Sequence, residues 1–127
     1  MGFWIFMFLS NELIPILMLL FGWIFKKHPP KNINSVYGYR TSMSTKNIET
    51  WNFAHAYCGR LWQRIGLAML LSATAAMLPL IGKTIDEIGF WSSLIMIIQV
   101  TILIASIFPV ERALRKNFDK TGKHISQ

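Results

Sequence analysis

The chain has 127 residues, room for one domain, and 53% of them are hydrophobic while only 15% are charged. Soluble domains carry about 25% charged residues and disordered chains are rich in charge, so the composition excludes both classes. The single cysteine excludes an intrachain disulfide framework, and no metal site is expected because cysteine and histidine do not cluster. What remains is a small membrane protein with a net charge of +7.

Three apolar segments are long enough to cross a membrane, and they cover residues of about 3–25, 61–81 and 88–109. At 1.5 Å per residue the first segment reaches about 34 Å, which exceeds a hydrocarbon core of about 30 Å. The sequence therefore predicts an all-α integral membrane protein, a single domain over residues 1–127 with three transmembrane helices.

Two polar residues lie near the middle of these spans, Glu12 in the first and Gln99 in the third. An ionisable group at that depth is costly, so one interpretation is a proton or ion site. The other is a structural glutamate that hydrogen-bonds to a neighbouring helix, with Gln99 as the candidate partner. Three helices are too few to enclose a pore, so an ion path would require an oligomer.

In the second span, small residues recur every four positions at Ala68, Ser72 and Ala76. This spacing permits close packing of helices, either within the chain or in a homo-oligomer.

The segment between the first two spans, residues 26–60, is the most informative part of the chain. Pro29 and Pro30 end the first helix because proline lacks the backbone N–H. After turns and extended chain, a helix is predicted to restart near Ser44 or Asn47 and to continue into the second span. Its first turns are expected to lie along the membrane surface as an interfacial helix.

Arg40 is the principal polar anchor predicted in this loop. Gly38, two residues earlier, allows a tight turn, and a guanidinium held beside it can bind a phosphate or carboxylate bidentately. Its candidate partners are a lipid headgroup, Glu49 or Glu111. The alternative is that Arg40 is one more basic residue that sets membrane orientation.

Three other loop residues favour architectural roles. Asn34 is predicted to cap a turn and Asn47 a helix, and Trp51 to anchor the interfacial helix among the lipid headgroups. His55, one helical turn after Trp51, is a candidate pH-responsive hydrogen-bond donor.

The basic residues are distributed unevenly, with six in the loop 26–60, five in the tail 110–127 and only Lys83 between the second and third spans. By the positive-inside rule, the loop and the tail are predicted to be cytoplasmic and the N terminus outside. Because the lipid bilayer accounts for this asymmetry, no nucleic-acid partner is expected.

A set of loop residues at fixed spacing resembles a bacterial family. The residues are Asn34, Tyr37, Gly38, Tyr39, Arg40, Thr41, Ser44, Asn47 and Trp51. They resemble the membrane domain of the SdpI family, whose founding member confers immunity to a secreted sporulation-delaying toxin peptide. The resemblance implies that they bind a ligand or partner, either a toxin peptide or a cytoplasmic regulatory protein captured at the cell membrane. The founding member has a further multi-span half, so this chain resembles a short three-span form.

The sequence thus favours a small SdpI-like protein of the bacterial cell membrane, acting in toxin immunity or signalling through the loop. The alternative is an oligomeric ion or proton transport protein that uses Glu12. An enzyme is not expected, and no cofactor is implied, because the sequence shows no Ser/His/Asp or Cys/His set.

Overall fold

The computed structural model describes residues 1–125, and the predicted all-α fold is confirmed. The elements are α1 (Gly2–Lys27), α2 (Ile48–Met77) with a 3₁₀ turn (Leu78–Leu80), α3 (Ile85–Ala105) and α4 (Ile107–Asn117). No β-strand occurs within residues 1–125, where an isolated bridge pairs Phe118 with His124. The last two residues of the predicted tail, 126 and 127, lie outside the described residues.

Three helical segments are long and apolar enough to cross a membrane, as the sequence predicts: Gly2–Lys27, Ile48–Leu80 and Ile85–Asn117. Large apolar side chains on these helices point outward, and Phe6 and Ile97 are each 63% exposed. Such a surface suits lipid rather than water.

The helix boundaries follow from the local sequence. Pro29 and Pro30 lie just beyond the end of α1. Lys26 and Lys27 occupy its last turn, where their positive charges interact favourably with the negative end of the helix dipole. At the start of α2, the side chain of Asn47 accepts from the Thr50 N–H at 2.9 Å, and the Thr50 hydroxyl accepts from the Asn47 N–H at 3.1 Å. This reciprocal pair is a capping box, so of the two predicted starts, Ser44 and Asn47, the helix begins at Asn47.

The third span is interrupted at Ser106, between α3 and α4. Pro109 has no N–H to donate to the carbonyl of Ala105, so the α-helical ladder breaks one turn before it. The indole of Trp62 in α2 donates to the Ser106 hydroxyl at 3.0 Å and fixes the junction against the second span.

Helix α1 packs closely along α2 because glycines face each other at the contact. A Cβ placed on Gly59 would lie 2.8 Å from the carbonyl oxygen of Gly22, and one on Gly22 would lie 2.9 Å from the carbonyl oxygen of Gly59. Side chains at either position would therefore separate the two backbones.

Two buried clusters lie at opposite ends of the helices. The smaller cluster, Met77, Leu80 and Ile88, lies beside the turn between α2 and α3. The larger cluster joins the loop 28–47 to α2, α4 and the tail, and it contains Phe25, Tyr39, Met43, Ala54, Cys58, Val110, Leu114 and Phe118. The loop and the tail therefore share one end of the molecule.

Candidate functional site at the loop end

The loop begins with a turn organised by Asn34. Its side-chain oxygen accepts from the N–H groups of Val36 at 3.0 Å and Tyr37 at 2.7 Å, and its amide donates to the Asn32 carbonyl at 3.1 Å. An asparagine that bonds to the backbone two and three residues on stabilises a turn, so the architectural role predicted for Asn34 matches its contacts.

The turn delivers the backbone of Gly38 onto two fully buried rings of α2, Trp51 and His55. Gly38 has a φ of 117°, and a Cβ there would lie 2.7 Å from His55 Nε2 and 3.1 Å from the Trp51 ring. Glycine is required here both for the positive φ and for the close approach. The indole N–H of Trp51 donates to the Pro30 carbonyl at 2.8 Å.

This burial corrects the role predicted for Trp51. The ring is 0% exposed and lies beneath the loop, so Trp51 is not a headgroup anchor on an open interfacial helix. It holds the start of the loop through Pro30. The sequence placed an aromatic residue near a span end but did not show that the loop covers it.

His55 receives the next loop residue. The Tyr39 N–H donates to His55 Nε2 at 2.9 Å, while Nδ1 lies 2.7 Å from the Trp51 carbonyl. A main-chain N–H can only donate, so Nε2 must be an acceptor, and the ring proton is on Nδ1 and donates to Trp51. A neutral imidazole with this tautomer therefore joins loop and helix.

The side chain of Tyr39 connects the loop to α4. Its hydroxyl donates to Glu111 Oε1 at 2.9 Å. Burial raises the pKa of the Tyr39 hydroxyl above its ordinary value, and the neighbouring Glu111 carboxylate raises it further. The phenol stays protonated, so it remains a donor to Glu111 over the physiological pH range.

The remaining motif residues close the loop into α2 and the tail. The Ser44 hydroxyl accepts from the Thr41 N–H at 2.8 Å and donates to the Tyr39 carbonyl at 3.0 Å. The Asn47 amide, besides its cap, donates to the Gly122 carbonyl at 2.6 Å. These hydrogen bonds form one unit that ties the loop to the start of α2, to α4 and to the tail. We call it the loop lock, and its residues are Pro30, Tyr39, Thr41, Ser44, Asn47, Trp51, His55, Glu111 and Gly122.

Arg40 lies outside this unit. Its side chain is exposed and has no hydrogen-bonding partner within residues 1–125. Of its three candidate partners, neither Glu49 nor Glu111 pairs with Arg40 within residues 1–125: Glu111 accepts from the buried Tyr39, while Arg40, the next residue, is exposed. Binding of Arg40 to a lipid headgroup or another ligand stays a prediction.

Two contacts of the loop lock escaped the sequence analysis. From the sequence, Glu111 is one of three candidate partners of Arg40, with no link to Tyr39, and Pro30 is expected only to end the first helix. Both pairings join residues that are far apart in the chain, 72 and 21 positions respectively. The sequence does indicate that His55 and Trp51 share a face of α2, because they are one helical turn apart.

The second polar site lies inside the membrane-spanning region. Glu12 is 5% exposed, and the Thr74 hydroxyl of α2 donates to Glu12 Oε1 at 3.1 Å. The structure thus joins Glu12 to a neighbouring helix, as one of the two interpretations has it, but the partner is Thr74 of α2 and not the candidate Gln99. The Gln99 amide instead donates to the main-chain carbonyl of Asn11 at 2.8 Å.

Pro15 explains why Gln99 bonds to that carbonyl. In a regular helix the N–H of residue 15 would donate to the carbonyl of residue 11, but proline has no N–H. A backbone carbonyl without a donor is costly in an apolar setting, and Gln99 supplies the missing donor from α3. Gln99 therefore supplies the hydrogen bond to the Asn11 carbonyl that Pro15 cannot make.

Replacing Gln99 by leucine is expected to destabilise the protein by about 1 kcal/mol, because the Asn11 carbonyl loses its donor. In a Pro15→Ala background the restored N–H satisfies that carbonyl, so the same change is expected to cost close to nothing. Chemical unfolding in detergent of the two single variants and the double variant measures the coupling. Equal costs in both backgrounds would contradict the claim that Gln99 compensates for the N–H that Pro15 lacks.

The fold and the two polar sites define a helical membrane protein with three spans, whose first loop is locked by motif residues onto the start of α2 and onto α4. The chain belongs to the SdpI/YfhL protein family, whose model matches residues 31–110. The matched range contains the motif but begins after α1, so Glu12 and Asn11 lie outside it.

A curated relative with the printed name "Uncharacterized protein YfhL", from Bacillus subtilis (strain 168), is 41% identical over 70 residues. That alignment covers 51% of this chain and 64% of the relative. No solved structure gives a significant match.

Proposed function

We propose that this protein is a small SdpI-like immunity or signalling protein, in which the loop lock holds a binding surface for a toxin peptide or a cytoplasmic regulatory protein. The observation that carries the proposal is that some residues of the loop are buried against the helices while others are exposed. Tyr39, Ser44 and Trp51 are buried and hold the loop, whereas Arg40 is exposed and Val36, in the same loop, is 90% exposed. A loop that is held by buried residues and presents a cation and an apolar side chain suits recognition of another molecule.

The proposed orientation places the loop and the tail in the cytoplasm and the N terminus outside. The positive-inside rule supports it, because eleven of the thirteen basic residues lie in these two segments. The contacts of Tyr39 with Glu111 and of Asn47 with Gly122 join the loop and the tail, so both belong to the same side of the membrane.

The test is survival of bacteria that lack the protein when they are exposed to a purified sporulation-delaying toxin peptide. Wild-type protein is expected to raise survival at least tenfold, and Arg40→Ala to lose most of that gain. Lys31→Ala is the matched control, since it removes an exposed loop cation outside the loop lock and is expected to keep protection. Both variants are compared at equal abundance in the membrane. Unchanged toxin sensitivity of the deletion strain would contradict the proposal.

A second candidate function is ion or proton transport by an oligomer. It is favoured by the carboxyl group of Glu12, which lies among polar neighbours at a depth where ionisable side chains are rare. Flux into vesicles containing the purified protein is expected to fall at least tenfold in Glu12→Gln. An absence of flux, or flux that ignores this substitution, would contradict transport.

A further inference from the structure

A groove with a volume of about 670 Å³ lies between α4 and the N-terminal part of α2. Its α4 wall includes Phe108, Arg112 and Lys116, which follow each other at intervals of four and therefore share one helix face. Its α2 wall consists of Phe53 and Tyr57, whose rings stack with their centroids 6.1 Å apart. One wall is thus aromatic, while the other changes from apolar to basic along α4.

The positive charge of this groove is not balanced by the chain itself. Arg112 and Lys116 are exposed, and neither forms a side-chain hydrogen bond or an ion pair with any residue of the described range 1–125. Among the described residues that line the groove, none is an aspartate or a glutamate. A second cleft along α4 differs, because Glu111 and Asp119 lie among its basic residues. Two cations in a groove without an acidic group favour the binding of an anion.

The length of the third span places the groove at the boundary of the bilayer. The segment Ile85–Asn117 has 33 residues and measures about 50 Å at 1.5 Å per residue, whereas a hydrocarbon core is about 30 Å thick. The last turns of α4 therefore extend beyond the hydrocarbon. Phe108, which is 71% exposed, lies toward the membrane end of α4, and Arg112 and Lys116 follow at successive turns farther out. Acyl chains therefore meet Phe108, and lipid phosphates meet the two cations.

We propose that this groove binds one anionic phospholipid, with the phosphate between the Arg112 guanidinium and the Lys116 ammonium group and an acyl chain against Phe108. A guanidinium holds two phosphate oxygens at once, and the lysine adds a second positive charge one turn farther along. A soluble anion satisfies the cations but leaves the exposed Phe108 ring uncovered. A phospholipid matches the apolar and the basic part, in the order in which the groove presents them.

This lipid site does not rest on the proposed function and is tested separately from it. Native mass spectrometry of the full chain, released from detergent micelles, counts the lipids that stay bound as each lipid is titrated. Dioleoyl phosphatidylglycerol is expected to bind at least tenfold more tightly than dioleoyl phosphatidylethanolamine, which has the same acyl chains but no net charge. The double variant Arg112→Gln with Lys116→Gln is expected to lose at least tenfold in affinity for phosphatidylglycerol. Glycerophosphoglycerol, the same headgroup without acyl chains, is expected to bind at least tenfold more weakly than the lipid.

The matched control is the double variant Arg115→Gln with Lys120→Gln, which removes the same charge from the same end of the molecule. Arg115 and Lys120 are exposed but line the second cleft, so their loss is expected to change the affinity less than threefold. Unchanged thermal unfolding of both double variants, followed by tryptophan fluorescence, shows that folding is intact. Equal losses in the two double variants overturn the proposal, because they indicate attraction by net charge alone. Equal affinities for the two lipids, or for the lipid and its free headgroup, also overturn it.

Discussion

Replacing Gly38 by alanine is expected to lower the free energy of unfolding by about 3 kcal/mol, through a strained backbone and an overpacked contact. The φ of 117° at Gly38 is one that residues with a Cβ rarely adopt. The added Cβ would also lie 2.7 Å from His55 Nε2, the atom that accepts from the Tyr39 N–H. The loop must then move away from α2, and the loop lock opens.

Gly82→Ala is the control that separates the cost of backbone strain from the cost of the contact with His55. Gly82 also has a positive φ, 82°, but a Cβ there meets nothing within 4 Å. Its replacement is expected to cost only about 1 kcal/mol, the penalty for the left-handed conformation. Both variants are compared by chemical unfolding in detergent with tryptophan fluorescence. Equal losses at the two positions would show that the contact with His55 contributes nothing.

The second large effect is expected at the contact between α1 and α2. Gly59→Ala places a methyl group 2.8 Å from the Gly22 carbonyl oxygen and 3.0 Å from the Lys26 nitrogen. Both are backbone atoms of α1, so relief requires the whole helix to shift. Overpacking of this kind is expected to cost about 2–3 kcal/mol.

Gly89→Ala is the matched control for this prediction. Gly89 also lies in a membrane-spanning helix, but its nearest neighbour atoms belong to the Phe3 ring, 3.8 Å from the added Cβ. Alanine is a better helix former than glycine, so the change is expected to be neutral or to stabilise by about 0.5–1 kcal/mol. The unfolding measurement is the same. Similar losses for Gly59→Ala and Gly89→Ala would contradict close backbone packing as the basis of the contact.

The fold was predictable where its causes are local. Hydropathy over 20 or so consecutive residues determines whether a segment can cross a membrane, and the three spans follow from it. The break at Pro29 and Pro30 and the capping box at Asn47 are likewise set by neighbouring residues. These features need no knowledge of which helices meet.

The candidate site was only partly predictable, because its contacts join distant residues. The motif pointed to the right loop, but inward and outward side chains alternate there, and the sequence does not show whether Tyr39 or Arg40 faces the helices. The partner of Tyr39 on α2, His55, is 16 positions away, and its partner on α4, Glu111, is 72 positions away.

The partners of Glu12 and Gln99 inside the membrane could not be predicted for a related reason. Glu12 and Gln99 lie at similar depth, but depth does not tell which helix faces turn toward each other. Pro15 was the overlooked signal, because a proline in a span frees the carbonyl four residues earlier and calls for a donor from another helix. Gln99 is the polar residue of α3 that meets this need.

The closure of the loop on α2 through His55 is tested most directly by NMR of the full chain labelled with ¹⁵N. A scalar coupling across the hydrogen bond between the Tyr39 amide nitrogen and His55 Nε2 is expected, with the imidazole proton on Nδ1. The absence of that coupling together with a proton on Nε2 would contradict the loop lock, since Nε2 would then be unable to accept from Tyr39.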